Sequence, residues 1–426
     1  MSSLSTSRPA EGVELVPVND EGILFDQNGQ RLFHLNAVAA RIWTHLTSER
    51  DVDDVAQAIA EAMCLEFSQA RHFVLDMVKT WRGLGLLHDS RSYSPPSRES
   101  ESVDGLSPTA SDEELHVPII ARRRRYRFLD SVFSLGFSSP VLRALAEPIF
   151  LHLETRIETD DVLYLDVIET GNGIRVIHDK HVIGQCACKR GLAPLLHGVV
   201  GLLAIRKYRY LLAIHASGLV RSGSALVLAG SSGSGKSTLA AALLAAEWEY
   251  MSDDTVLLLP QTLDCVAAPY ALTLKRGSWP ILRPYFPAID QVPIHHRADA
   301  QAVRYLCPGS HNFVKPRPVR WIGFSHHSTS GTSCMRRLEH IEGFYRLLQH
   351  CCAVPNFLTA RDIQQLVQWS TSIHFFEFAI ASLDEAVAQI DAMTRGENED
   401  DAGLLPLSDD SRKTASGYTS RCQSVR

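Results

Sequence analysis

Apolar and polar positions along this chain change period several times, and the changes mark its elements. Between Val13 and Leu35 the runs VELVPV, GILFD and RLFHL are separated by polar turns. This segment reads as short strands, with Asp26 to Gly29 (DQNG) suited to a hairpin connection. The spacing then lengthens to the helical three-to-four. Val38, Ile42, Trp43 and Leu46 share a face over 37–46, and Val55, Ile59 and Met63 share one over 52–63. Val74, Met77, Val78, Trp81 and Leu84 form a stripe over 68–84. Asn36, Asp51 and Ser68 stand where N-caps are expected. Residues 90–114 are rich in Ser, Pro and acid with almost nothing to bury, and read as a flexible linker. Apolar patterning resumes with strands near 162–167 and 174–182, a helix over 193–207, and strands over 211–214 and 225–229. It continues with a helix over 239–246, a strand over 319–324, and helices over 343–350 and 383–393. From Arg395 the chain is polar again, as expected of a disordered tail. The expected division is therefore a domain over 12–89, a linker over 90–114, a large domain over 115–394 and a tail over 395–426.

Composition narrows the classes. With 426 residues, 45% hydrophobic and 21% charged, the chain can bury two or three cores, which excludes a fibrous repeat and a disulfide miniprotein. A net charge of −6 gives no bulk attraction to nucleic acid or anionic lipid. The opening MSSLSTSRPAEG has no apolar core segment. The most apolar stretch, 193–205, carries His197 and is followed by Arg206, Lys207 and Arg209, so a buried helix is expected there rather than a membrane span. The nine cysteines are an odd number, and Cys186/Cys188 and Cys351/Cys352 lack metal-site spacing. Reduced thiols in a cytoplasm are expected.

The strongest chemical signal is Gly230-Ser231-Ser232-Gly233-Ser234-Gly235-Lys236-Ser237-Thr238, which fits G-x-x-x-x-G-K-[ST]. It lies between the apolar run Ala225 to Ala229 and the helix former LAAALLAA, the strand–loop–helix context that a phosphate loop needs. Glycines let backbone amides approach phosphates, and the following helix adds oriented N–H groups. Lys236 is expected to neutralise the β- and γ-phosphates, and the Ser237 hydroxyl to ligate Mg²⁺. Asp253 and Asp254 follow after about one helix and a return connection. Two adjacent carboxylates can divide the work of metal ligand and general base. His215 follows the apolar strand Leu211 to Ile214 and precedes the turn into the phosphate-loop strand, which places it near the same site. Lys275, after another apolar run, reads equally well as a phosphate contact or a solvated lysine, and the basic run Arg122 to Arg125 as a solvated face.

Two family resemblances follow from these residues. Leu35, Asn36, Ala39, Ile42 and Trp43, then Asp51, Val52 and Val55, then Gly85, Leu86 and Leu87, resemble the PQQ-biosynthesis protein D family. That resemblance implies a small winged-helix-like α+β domain that holds a leader peptide by strand addition beside a helix. DNA binding is the competing use of such a fold, but no basic recognition helix is present. His215, the phosphate loop and the Asp253/Asp254 pair together resemble the HPr serine kinase family. This implies an α/β P-loop kinase domain related to phosphoenolpyruvate carboxykinase. By that resemblance Lys236 is the phosphate lysine and Ser237 a Mg²⁺ ligand. Asp253 is the general base and Asp254 the metal ligand, with the last two roles exchangeable, and His215 organises the site. Ser231 and Thr238 depart from the family's usual Asp and Glu. HPr itself and phosphorylase activity are therefore not implied.

The expected function is an ATP- and Mg²⁺-dependent kinase that phosphorylates a hydroxyl, Ser first among them, on a ribosomally made precursor peptide or small protein captured by the N-terminal domain. A tether raises the local concentration of a weakly bound acceptor. Two alternatives stand beside it: an ATP-gated peptide chaperone or regulator without phosphotransfer, and a small-molecule kinase. Relatives of this kinase class are often homo-oligomers. No nucleic acid or membrane partner is expected.

Overall fold

A computed structural model describes residues 7–48, 50–89, 120, 122–309, 315–328 and 331–396. The linker expected over 90–114 and nearly all of the expected tail lie outside the described residues. The last helix, Leu383–Gly396, runs just past the expected start of that tail at Arg395. The chain forms two compact units, and residues 356–371 belong to the first rather than to the second.

In the first unit the strands Val13–Val18, Glu21–Asp26 and Arg31–Leu35 form an antiparallel sheet in that order. The second hairpin is held by Asp26, whose carboxylate accepts from the Gly29 amide at 2.9 Å and from Arg31 Nη2 at 2.6 Å. Three helices follow, Ala37–Thr47, Val52–Met63 and Phe67–Gly83. Asn36 and Asp51 cap the first two through their side chains. Ser68 does not cap the third: that helix begins at Phe67, Glu66 is its N-cap, and no side chain bonds there. Leu24, Leu35, Ile42, Val55 and Val74 pack round Trp43 and Trp81, whose rings meet edge-on at 5.1 Å.

The middle strand is buried on both faces: Ile23, Leu24 and Phe25 are at most 1% exposed. A sheet buried on both faces needs a second layer. The helix Ala360–Ser370 packs against Val13–Val18, and its start is fixed by a Thr359/Asp362 capping box. Gln30 donates to the Leu358 carbonyl at 3.0 Å and accepts from the Leu358 amide at 2.8 Å.

The second unit is a mixed α/β assembly. A five-stranded sheet takes the order His181–Cys186, Gly173–His178, Val162–Thr170, Ser131–Phe137, Arg123–Phe128. Arg122 is exposed, as expected of a solvated face, while Arg123 to Arg125 open a strand and are partly buried. Arg123 pairs with Asp166, and Arg124 lies 3.5 Å from Glu147. The larger sheet runs Cys265–Ala267, Thr255–Leu258, Leu212–Arg221, Ser224–Ala229, Val319–His327, His374–Ile380, Cys334–Arg337. Ser224–Ala229 is antiparallel to Leu212–Arg221 and parallel to Val319–His327. The strand Leu272–Lys275 leads a separate three-stranded sheet. The helix Lys236–Ala245 lies in the core, with Leu239 to Leu243 fully buried. Among the described residues no helix is long and apolar enough to cross a membrane.

Candidate nucleotide and phosphotransfer site

The strand Ser224–Ala229 ends in the glycine loop. Gly230, Gly233 and Gly235 have φ of +153°, +88° and +97°, backbone that side-chain-bearing residues rarely adopt. A Cβ on Gly230 would meet Ser234 Oγ at 2.7 Å and the Ser325 carbonyl at 3.1 Å, so only glycine lets the loop close against the neighbouring parallel strand. Lys236 opens the next helix and folds back over the loop, where Nζ donates to the carbonyls of Gly230 at 2.6 Å and Ser231 at 3.1 Å. Burial lowers the pKa of this ammonium, and Asp253 and Asp254 oppose the fall. Ser232 accepts from Lys275 Nζ at 2.8 Å, Ser234 exchanges with Ser325 at 3.2 Å, and His327 Nε2 donates to the Gly233 carbonyl at 2.9 Å. Thr238 Oγ1 lies 2.8 Å from Ser278 Oγ.

Strand register brings the acids to this loop. Leu212–Arg221 pairs on one side with the phosphate-loop strand, Ala216 opposite Ala229. On its other side His215 lies opposite Thr255 and Gly218 opposite Ser252. Asp253 and Asp254 form the bend between Ser252 and Thr255, so the pairing leaves them beside His215 and Ser217, two residues that share one face of the strand.

The two acids differ. Asp253 is 4% exposed and accepts from Ser217 Oγ at 3.0 Å and from the Thr273 amide at 2.8 Å. Burial raises its pKa to about 7, against the pull of these donors and of the Ser237 hydroxyl. The Asp254 side chain is half-exposed and accepts from Thr255 Oγ1 at 3.2 Å. His215 Nδ1 lies 3.1 Å from the Asp254 carbonyl, which can only accept, so Nδ1 carries the hydrogen and Nε2 is left as acceptor. Burial lowers the His215 pKa, which keeps the ring neutral near pH 7.

Lys236, Ser237, Thr238, Asp253, Asp254 and His215 all line one cavity of about 1360 Å³, together with Ser232, Gly233 and Gly235. Gly230, Ser231 and Ser234 stand behind it as loop structure. Lys275, left open by the sequence, lines the cavity too, and Ser217, Thr273 and His327 were not anticipated. Ser217 had one signal, its spacing two residues from His215 on a strand. Thr273 acts through its backbone amide, which residue identity does not reveal. Among the described residues no group of three or more His, Cys, Asp or Glu is placed to hold a metal ion. The eight cysteines of the described residues are free thiols.

The donor set is compatible with a magnesium nucleotide. The loop supplies a glycine cradle and an ammonium held over it, while Ser237 and Asp254 both line the cavity. Mg²⁺ takes one or two protein oxygens and completes its shell with phosphates and water.

Comparison with known proteins adds one assignment. Residues 21–87 match the family model described as Coenzyme PQQ synthesis protein D (PqqD), in agreement with the resemblance carried by Leu35, Asn36, Ile42 and Trp43. Two solved structures are similar at low level. TbiB1 in complex with the TbiA(beta) leader peptide is 20% identical and has a TM-score of 0.19, and the match covers 21% of this chain and 99% of that one. Lasso peptide synthetase B1 complexed with the leader peptide is also 20% identical with a TM-score of 0.19, and covers 20% of this chain and 99% of that one. No curated protein matches the chain.

Proposed function

We propose that this chain is an ATP- and Mg²⁺-dependent kinase that phosphorylates a hydroxyl, serine first among them, on a precursor peptide or small protein held by its N-terminal unit. The observation that carries the reading is the convergence of Lys236, Ser237, Asp253, Asp254 and His215 on one cavity beside a glycine loop. Lys236 and the loop amides would hold the phosphates, and Ser237 and Asp254 would hold Mg²⁺, which screens the charge that builds on the transferring phosphoryl group. Asp253 takes the proton of the acceptor hydroxyl as its oxygen bonds to the γ-phosphorus and the bond to ADP breaks. A carboxyl that titrates near pH 7 is matched to that task. Ser217 and the Thr273 amide orient it, and neutral His215 fixes the Asp253–Asp254 bend through the Asp254 carbonyl.

Peptide capture is supported by the PqqD match over 21–87 and by the edge position of Arg31–Leu35, which pairs only with Glu21–Asp26 among the described residues. A strand at a sheet edge can take up an extended peptide as a further strand.

The test is transfer of labelled γ-phosphate from ATP to short precursor peptides encoded beside this chain, read by mass, with Lys236→Ala and Asp253→Asn as controls. Transfer by the wild type that both substitutions abolish is expected. ATP binding without transfer to any such peptide would replace the kinase with an ATP-gated chaperone.

A further inference from the structure

The cavity's lining extends beyond the phosphate loop and includes an apolar stretch. The helix Leu192–Lys207 lines the cavity with Pro194, Leu195, His197, Gly198, Val199 and Leu202, and Leu195, Gly198, Val199 and Leu202 form a stripe at i, i+3, i+4 and i+7. Leu202 is 46% exposed there, and Ile281, which lines the same cavity, is 52% exposed. Gly198 is a notch in the stripe: a Cβ at that position meets nothing within 4 Å.

This wall is held in register with the chemistry. Ile281 sits on the short helix Ser278–Leu282. Ser278 hydrogen-bonds Thr238 of the phosphate-loop helix at 2.8 Å, and Trp279 Nε1 donates to the Leu274 carbonyl at 2.9 Å. Leu274 belongs to the strand whose Thr273 amide holds Asp253. The long helix is fixed by His197, whose ring stacks on Tyr270 at 4.2 Å between centroids.

From this continuity we infer that the apolar wall is the acceptor subsite, and that it selects a chain segment with a bulky aliphatic or aromatic side chain next to the hydroxyl. The inference rests on the proposed phosphotransfer and deepens it. The acceptor oxygen must reach Asp253, and Asp253, Leu202 and Ile281 line the same cavity. Arg297 and Asp299 also line the cavity but pair with each other at 3.5 Å, so an acidic or basic flank would lose hydration against Leu202 and Ile281 while those two charges already neutralise one another. A large apolar flank buries the two exposed side chains.

The experiment uses the full chain and fluorescein-labelled octapeptides with one central serine, flanked by leucine, phenylalanine, aspartate or lysine. Equilibrium binding is measured by fluorescence polarisation in the presence of Mg²⁺ and a non-hydrolysable ATP analogue, and transfer is measured separately with ATP. Two variants probe the wall: Gly198→Leu, which fills the notch of an open helix face, and Leu202→Lys. Apolar-flanked peptides are expected to bind at least tenfold tighter than charged ones. Both variants are expected to erase that preference while the affinity for the ATP analogue stays within twofold. Equal binding of all flanks, binding of none, or variants that leave the preference intact would overturn the subsite. Selective binding without transfer keeps the subsite and removes the kinase; transfer without selectivity does the reverse.

Discussion

In the N-terminal unit the largest buried side chains are Trp43 and Trp81, surrounded by aliphatic residues. Around the phosphate loop the buried set includes Lys236, Ser217, Ser252 and Asp253, each of them polar. The first region is held by apolar area, which tolerates no hole but has no charge to manage. The second keeps an ammonium on two loop carbonyls and a carboxyl on a hydroxyl and an amide, because an unpaired buried charge is costly. A packing core can be read from spacing along the sequence, whereas a polar site is assembled by strand register across it.

Substitutions should separate the two regions sharply. Asp253→Asn keeps the shape but removes the proposed base, so phosphotransfer should fall by about 10²–10⁴-fold with little change in ATP affinity, measured by single-turnover kinetics and calorimetry. Trp43→Ala should have the opposite profile. It should destabilise the N-terminal unit by about 3–5 kcal/mol in denaturant unfolding and leave ATP affinity unchanged. If Trp43→Ala also removed ATP binding, the two regions would not be independent in the way the comparison requires.

The titration of Asp253 sharpens the contrast. Its pKa in the folded chain, about 7, lies above the usual carboxylate value near 4, so the folded state holds this proton more tightly than the unfolded state does. The stabilisation from that group is full below about pH 4 and is lost as pH rises to about 7. Asp253→Asn should flatten this part of the stability curve, and Trp43→Ala should leave its slope unchanged. Ser217→Ala removes a donor to the carboxylate. It should move the acidic limb of the rate profile up by roughly one pH unit. The smallest effect belongs to the helix caps: Asp51→Ala should cost about 1 kcal/mol in the N-terminal unit and nothing in transfer.

The same contrast explains what was legible in the sequence. The three N-terminal strands lie where their apolar runs put them, and the helix over 52–63 lies where the spacing of Val55 and Ile59 and the cap at Asp51 put it, although Met63, expected on the same face, is 44% exposed. The third helix starts one residue early, because Glu66 rather than Ser68 stands at the turn into the helix. The helix Ala360–Ser370 was not anticipated: its partner strand is more than three hundred residues away in sequence. The only local hint of it was a middle strand apolar on both faces. In the cavity the loop and the acid pair were readable as motifs, and their proximity to His215 follows from its register opposite Thr255. Thr273 was invisible, since it contributes a backbone amide, and the acceptor wall was read only as a buried helix with no hint of its open face.

The most direct test of the account is the pH dependence of single-turnover phosphate transfer from ATP to a serine peptide, for the wild type and for Asp253→Asn. The wild-type rate should rise through about pH 7 and level off above it as Asp253 loses its proton, and the variant should be slow and lack that rise. An Asp253→Asn variant that transfers phosphate at the wild-type rate with the same pH profile would contradict the assignment of Asp253 as the base and, with it, the phosphotransfer site built around it.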